Sequence, residues 1–111
     1  MILEKSIEFA LAIIEFSEEL DSFKKFVIAK QLLRSGTSIG ANIHEAQSCE
    51  SRADFIHKLK IAAKEANETE YWLLLCKNSK SYLSNDLLLL KLNEIQKLLT
   101  SIISSTKKKT N

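Results

Sequence analysis

Gln31-Leu-Leu-Arg-Ser-Gly-Thr-Ser-Ile-Gly-Ala-Asn-Ile-His-Glu45 is the stretch on which the fold turns. Taken locally, Ser35-Gly36-Thr37-Ser38 reads as a loop, because glycine inside a helix costs about 1 kcal/mol relative to alanine. Taken with its flanks, it does not. Ala29, Leu32, Gly36, Ile39, Ile43 and Ala46 keep steps of three and four straight through the segment, and a loop has no reason to preserve helical phase. The spacing predicts one continuous helix over residues 23–49. Gly36 and Gly40 then share a side and let another backbone approach closely.

The same reading works outward from there. Residues 2–20 carry two apolar lines, Leu3, Ile7, Ala10, Ile14 and Phe9, Ile13, Phe16, Leu20, with an acidic remainder of Glu4, Glu8, Glu15, Glu18 and Glu19. Asp21-Ser22 is the expected break and cap for the next helix. Ser51, with Asp54 three residues on, resembles a capping box and opens a third helix. Its seam is Phe55, Leu59, Ala62, Ala66, Thr69, Leu73, Cys76, in heptad spacing, and a second line runs Ile61, Glu65, Glu68, Trp72, Leu75. A turn is expected over residues 78–84, with Ser84 or Asn85 capping a fourth helix that buries Leu88, Leu92, Ile95, Leu99 and Ile102. From Ser104 onward the chain is expected to be loose, which divides it into a bundle over residues 1–106 and a flexible basic tail over 107–111.

Composition agrees. The chain has 111 residues, 2 glycines and no proline, too few turn residues for a sheet protein. A hydrophobic content of 45% with 27% charged residues excludes disorder and suits amphipathic helices. The length allows one domain. A net charge of +2 is too mild to declare a nucleic-acid binder by itself. No secretory signal and no apolar run approaching the ~18 residues of a membrane span are evident, and Cys49 and Cys76 fit no zinc or CxxC spacing. A reducing cytoplasm is the expected compartment.

The informative residues are polar ones in apolar company. Gln31, Arg34, Ser38, Asn42 and Glu45 follow at steps of three and four along one edge of helix two, and Glu65 and Glu68 occupy the matching edge of helix three. In an antiparallel hairpin turning near residues 50 and 51, facing residues have numbers adding to about 101 or 102. That rule pairs a partly buried Arg34 with Glu68 and sets Ser38 near Glu65. We read the seam as a structural network that holds helix register; the functional alternative makes Arg34 a phosphate contact.

Residues 31–45 as quoted above resemble the signature of the small four-helix bundle proteins encoded in intervening sequences of bacterial 23S ribosomal RNA genes. Ile61-Ala-Ala-Lys-Glu-Ala-Asn-Glu-Thr-Glu-Tyr-Trp-Leu73 resembles the second block of that family. His44 stands where alanine is common there, and Asn67 where serine is common. The resemblance implies an all-α, antiparallel, up-down-up-down four-helix bundle whose relatives form homopentamers. It also implies kinship with the accessory protein of diversity-generating retroelements, a basic pentamer that works beside a reverse transcriptase and its RNA. It implies no activity.

The residues themselves agree with assembly. Four helices packed alone need about one apolar stripe each, and the surplus on helices one and three suggests an intersubunit surface. Enzymatic readings fall away: His44-Glu45 begins like HExxH, but Ser48 stands where the second histidine belongs. Both cysteines lie on or near helical seams, where the residue is usually a small hydrophobe. No cofactor, metal or small-molecule substrate is expected. For RNA the candidates are Lys60, Lys64 and Tyr71, with Asn67, on one face of helix three, together with the tail lysines Lys107, Lys108 and Lys109. Lysines can hold phosphates while an aromatic stacks a base, and five copies multiply weak contacts. Lys24, Lys25 and Lys30 add charge on helix two. The expected function is a non-catalytic oligomeric adaptor engaging RNA or an RNA-handling protein. The alternative is a structural or protein-binding oligomer without nucleic-acid contact.

Overall fold

The stretch with two glycines is helical from end to end. The computed structural model describes residues 1–109, built from α1 (Ile2–Ser22), α2 (Phe26–Ala46), α3 (Arg52–Asn78) and α4 (Asp86–Lys109). No strand occurs among the described residues. Ala29, Leu32, Gly36, Ile39, Ile43 and Ala46 are all buried, as their unbroken phase requires. The glycines serve contact with α1. A β-carbon added at Gly36 would lie 2.9 Å from Ile13 Cγ1, and one at Gly40 would lie 3.3 Å from Ser6 Oγ.

Each helix offers the expected stripe to one core. Phe9, Ile13, Phe16 and Leu20 of α1 meet Leu59, Ala62, Ala66, Leu73 and Cys76 of α3 and Leu88, Leu92, Ile95 and Leu99 of α4, all buried in a single cluster with the α2 line. Phe55 and Ile102, at the ends of their seams, are half-buried. α1 packs on α2 and α4, and α3 packs on α2 and α4, which closes a ring of four. Cross-helix pairs match rising numbers on one helix with falling numbers on its neighbour. Lys5 meets Glu94 while Lys91 meets Glu8, and Asn67 meets Gln96 while Lys77 meets Asp86.

The ends are capped largely as the residues suggest. Ser51 Oγ accepts from the Asp54 N–H at 3.1 Å, and Asn85 Oδ1 accepts from the Leu88 N–H at 3.0 Å. The α1–α2 junction departs from expectation. Asp21 and Ser22 belong to α1, Ser22 Oγ donates to the Glu19 carbonyl, and α2 begins at Phe26 with no side-chain cap. The chain turns instead at Lys24, whose φ of 63° is left-handed. Lys24 N–H donates to the Asp21 carbonyl and Lys25 N–H to the Leu20 carbonyl, the pair of bonds that closes a Schellman ending. Glycine usually fills that position, and a lysine there conceals the turn from a sequence reading.

α2 ends at Ala46, not at 49, and α3 continues through Asn78, so the last connection covers residues 79–85. The largest correction concerns the C-terminal segment: residues 104–109, expected to be loose, continue α4. Lysines are good helix formers, and their positive charge suits a helix C-terminus. Arg52 Nη1 also donates to the Lys109 carbonyl at 2.6 Å, tying this end to the start of α3. Residues 107–109 of the expected flexible tail over 107–111 are therefore helical, and 110–111 lie outside the described residues.

Candidate nucleic-acid interface

The polar seam forms where helical spacing places it, at the rim and not inside. Arg34 donates from Nη2 to Glu68 and from Nη1 to Glu65 Oε2 at 3.3 Å, and its Nε reaches Gln31 Oε1 at 3.3 Å. The Arg34–Glu68 pair is as expected. Its burial is not: the Arg34 side chain is 48% exposed, whereas Glu65 retains 17%. A guanidinium at the end of a long stem reaches water even when its stem lies on the helix surface. Ser38 Oγ turns back to the Arg34 carbonyl, so Arg34, and not Ser38, is the residue that engages Glu65. Asn42 Nδ2 likewise donates to the Ser38 carbonyl, and Glu45 Oε1 accepts from Lys58 Nζ at 2.7 Å. That lysine holds the Glu45 carboxyl below its ordinary range, and Glu45 raises Lys58 in return.

Two further links escaped the spacing argument. Trp72 Nε1 donates to Glu68 Oε2 at 3.0 Å, joining the indole to the seam. Beneath it, Thr69 Oγ1 donates to Ser35 Oγ at 2.9 Å, both side chains fully buried. Thr69 was legible as a core position. Ser35 stood in the segment resembling a loop, and a hydroxyl buried beside a second hydroxyl leaves no periodic signal.

The lysines thought able to hold phosphate are partly gathered by the fold. Lys60 on α3 and Lys107 on α4 come together. The Lys60 side chain, within hydrogen-bonding reach and bearing the same charge, pulls Lys107 below the usual lysine range. Lys64, one turn on from Lys60, is exposed, as are Lys108 and Lys109. Tyr71 is 56% exposed and meets Trp72 edge-on, with ring centroids 5.3 Å apart. Asn67, between Lys64 and Tyr71, accepts from Gln96 Nε2 at 3.2 Å across the α3–α4 boundary. Lys24, Lys25 and Lys30 belong elsewhere, and Lys25 Nζ lies 5.2 Å from the centre of the Tyr82 ring.

Chemistry of other kinds finds little support in these contacts. The carboxylates of Glu65 and Glu68 are engaged by Arg34 and Trp72. Burial pushes the Cys76 thiol up to about 11, which keeps it protonated and unreactive. His44 and His57 are exposed, and no cluster of metal-ligating side chains occurs among the described residues. No helix of the described residues is long and apolar enough to cross a membrane.

This geometry has a close counterpart. A protein of unknown function from the S23 ribosomal protein family of Bacteroides thetaiotaomicron VPI-5482, solved by crystallography at 1.70 Å, is 51% identical, with a TM-score of 0.82 over 93% of this chain and 98% of the other. Among curated proteins none is significantly similar. The pattern that defines the 23S rRNA-intervening sequence proteins matches residues 1–101, a span that takes in both sequence blocks, the Arg34 seam and most of α4. The chain belongs to the 23S rRNA-intervening sequence protein family.

Proposed function

We propose that this protein is a non-catalytic cytoplasmic adaptor, a homopentamer of antiparallel up-down-up-down bundles that presents the α3/α4 face to RNA. The observation that carries the RNA reading is the exposed line of Lys60, Lys64 and Tyr71 on one face of α3, with Lys108 and Lys109 exposed at the end of α4. Exposed ammonium groups attract phosphate, an attraction that weakens steeply as salt rises. Lys64 extends the charge along α3, and Tyr71 offers an exposed ring on the same helix face for a base to stack on. The up-down reading draws support from the opposed numbering of every cross-helix pair, and the pentamer from the kinship of the family. Five copies would repeat these exposed lysines around one particle, so that weak phosphate contacts act together.

Fluorescence anisotropy with a labelled structured RNA over a salt series tests this reading. Micromolar or tighter binding at low salt is expected, falling log-linearly as salt rises and lost in a Lys60→Glu/Lys64→Glu variant. Absence of binding at low salt would leave a protein-binding oligomer, a reading favoured by the exposed apolar side chains of α1.

A further inference from the structure

We propose that copies of this chain meet side by side along the α1/α2 groove, the outer line of α1 from one copy lying against the outer line of α2 from the next, about an axis parallel to the helices. The inference deepens the assembly part of the reading above and rests on it. The α1 line is Glu4, Ile7, Leu11, Ile14, Glu18, at steps of three and four. Its apolar members are left in water: Ile7 is 51%, Leu11 59% and Ile14 38% exposed. The α2 line is Lys30, Leu33, Thr37, Ala41, His44, with Leu33 42% exposed. Ile7 and Leu11 border one groove with Thr37, Ala41 and His44, over a floor of Ser6, Ala10 and Gly40. Small residues on the floor leave room for a neighbour's side chain.

What covers this surface follows from register and charge. Contacts of Gly36 with Ile13 and of Gly40 with Ser6 fix the heights of α1 and α2 within one chain. By that register Glu18 stands level with Lys30, Ile14 with Leu33, Leu11 with Thr37, Ile7 with Ala41, and Glu4 with His44. Rotation about an axis parallel to the helices leaves height unchanged. Residues level with each other inside one chain therefore face each other between copies, apolar against apolar or small, and acid against base. An axis across the helices would instead set α1 against α1 and bring Glu4 onto Glu18, two like charges. Glu18 and Lys30 take part in none of the ion pairs formed among the described residues, so both are available to a neighbour. In a fivefold ring each copy gives its α1 line to one neighbour and its α2 line to the other.

Sedimentation velocity at micromolar protein, with circular dichroism as a check on folding, decides the matter. The wild type should sediment as an oligomer, and Leu11→Asp as a monomer of unchanged helicity. Glu18→Lys and Lys30→Glu should each weaken association by about tenfold at low salt, and the double variant should recover it, because the exchanged charges still attract. An oligomeric wild type matched by an equally oligomeric Leu11→Asp, with no effect of either charge reversal, overturns this surface and leaves assembly standing. A monomeric wild type overturns both.

Discussion

A methyl group on Gly36 would stand 2.9 Å from both γ-carbons of Ile13. Those carbons sit at the branch of a fully buried side chain, so they cannot swing aside as the tip of a long residue would. Gly36 therefore sets how closely α1 lies on α2. A methyl group on Gly40, one turn on, would stand 3.3 Å from Ser6 Oγ, a more forgiving distance.

From this contrast, Gly36→Ala should destabilise the fold by about 1–3 kcal/mol through overpacking, net of the helix propensity it gains. Gly40→Ala should fall within about 1 kcal/mol of wild type, since propensity offsets a small displacement of Ser6. Urea unfolding of the two variants checks the order. Equal midpoints would show that the α1–α2 distance does not depend on Gly36.

Arg34 is the shared partner of Glu65 and Glu68. Arg34→Ala leaves the more buried Glu65 without its cation and should lower stability by about 1 kcal/mol, a figure kept small because Arg34 itself is half exposed. Arg34→Lys should recover only part, because one ammonium cannot serve both carboxylates with the fork geometry of a guanidinium. Thermal melts of both variants measure this. An Arg34→Ala melting temperature equal to that of wild type would remove the structural role of the seam.

Cys76 links stability to pH on the alkaline side. Burial raises its thiol from 9.0 to about 11, so the folded state favours the protonated form. The resulting stability is complete below pH 9.0 and is lost as pH rises toward about 11. Unfolding titrations should thus show a decline over that window that is shallower in Cys76→Ala than in wild type. A thiol reagent at neutral pH should modify Cys49 in the native protein and reach Cys76 only on unfolding. Rapid native labelling of both would contradict the burial of Cys76.

Much of the architecture was legible because helical phase is a local property with a long reach. The lines Phe9 to Leu20, Ala29 to Ala46 and Leu59 to Cys76 are buried as their spacing requires, and the continuity through Gly36 rested on phase alone. The Arg34–Glu68 pair followed from hairpin register. Its exposure did not, because register says which residues face each other but not how far a long side chain reaches toward water. The end of α4 was misread for a related reason: three lysines in a row resemble a solvated tail, while the Arg52 contact that secures Lys109 joins residues 57 positions apart.

Periodicity and the scarcity of turn residues were enough to determine four helices and the side each turns inward, while the family was legible only in the two sequence blocks at residues 31–45 and 61–73. The helices and their inward sides follow from intervals of three and four residues, which any chain of this pattern must obey. Tertiary structure alone decided where side chains from distant segments converge. Lys60 meets Lys107, Ser35 meets Thr69, and the exposed Ile7 and Leu11 border a groove with Thr37, Ala41 and His44 of α2. Such meetings depend on the distance and relative height of packed helices, which for the first pair the contact of Gly36 with Ile13 helps to set.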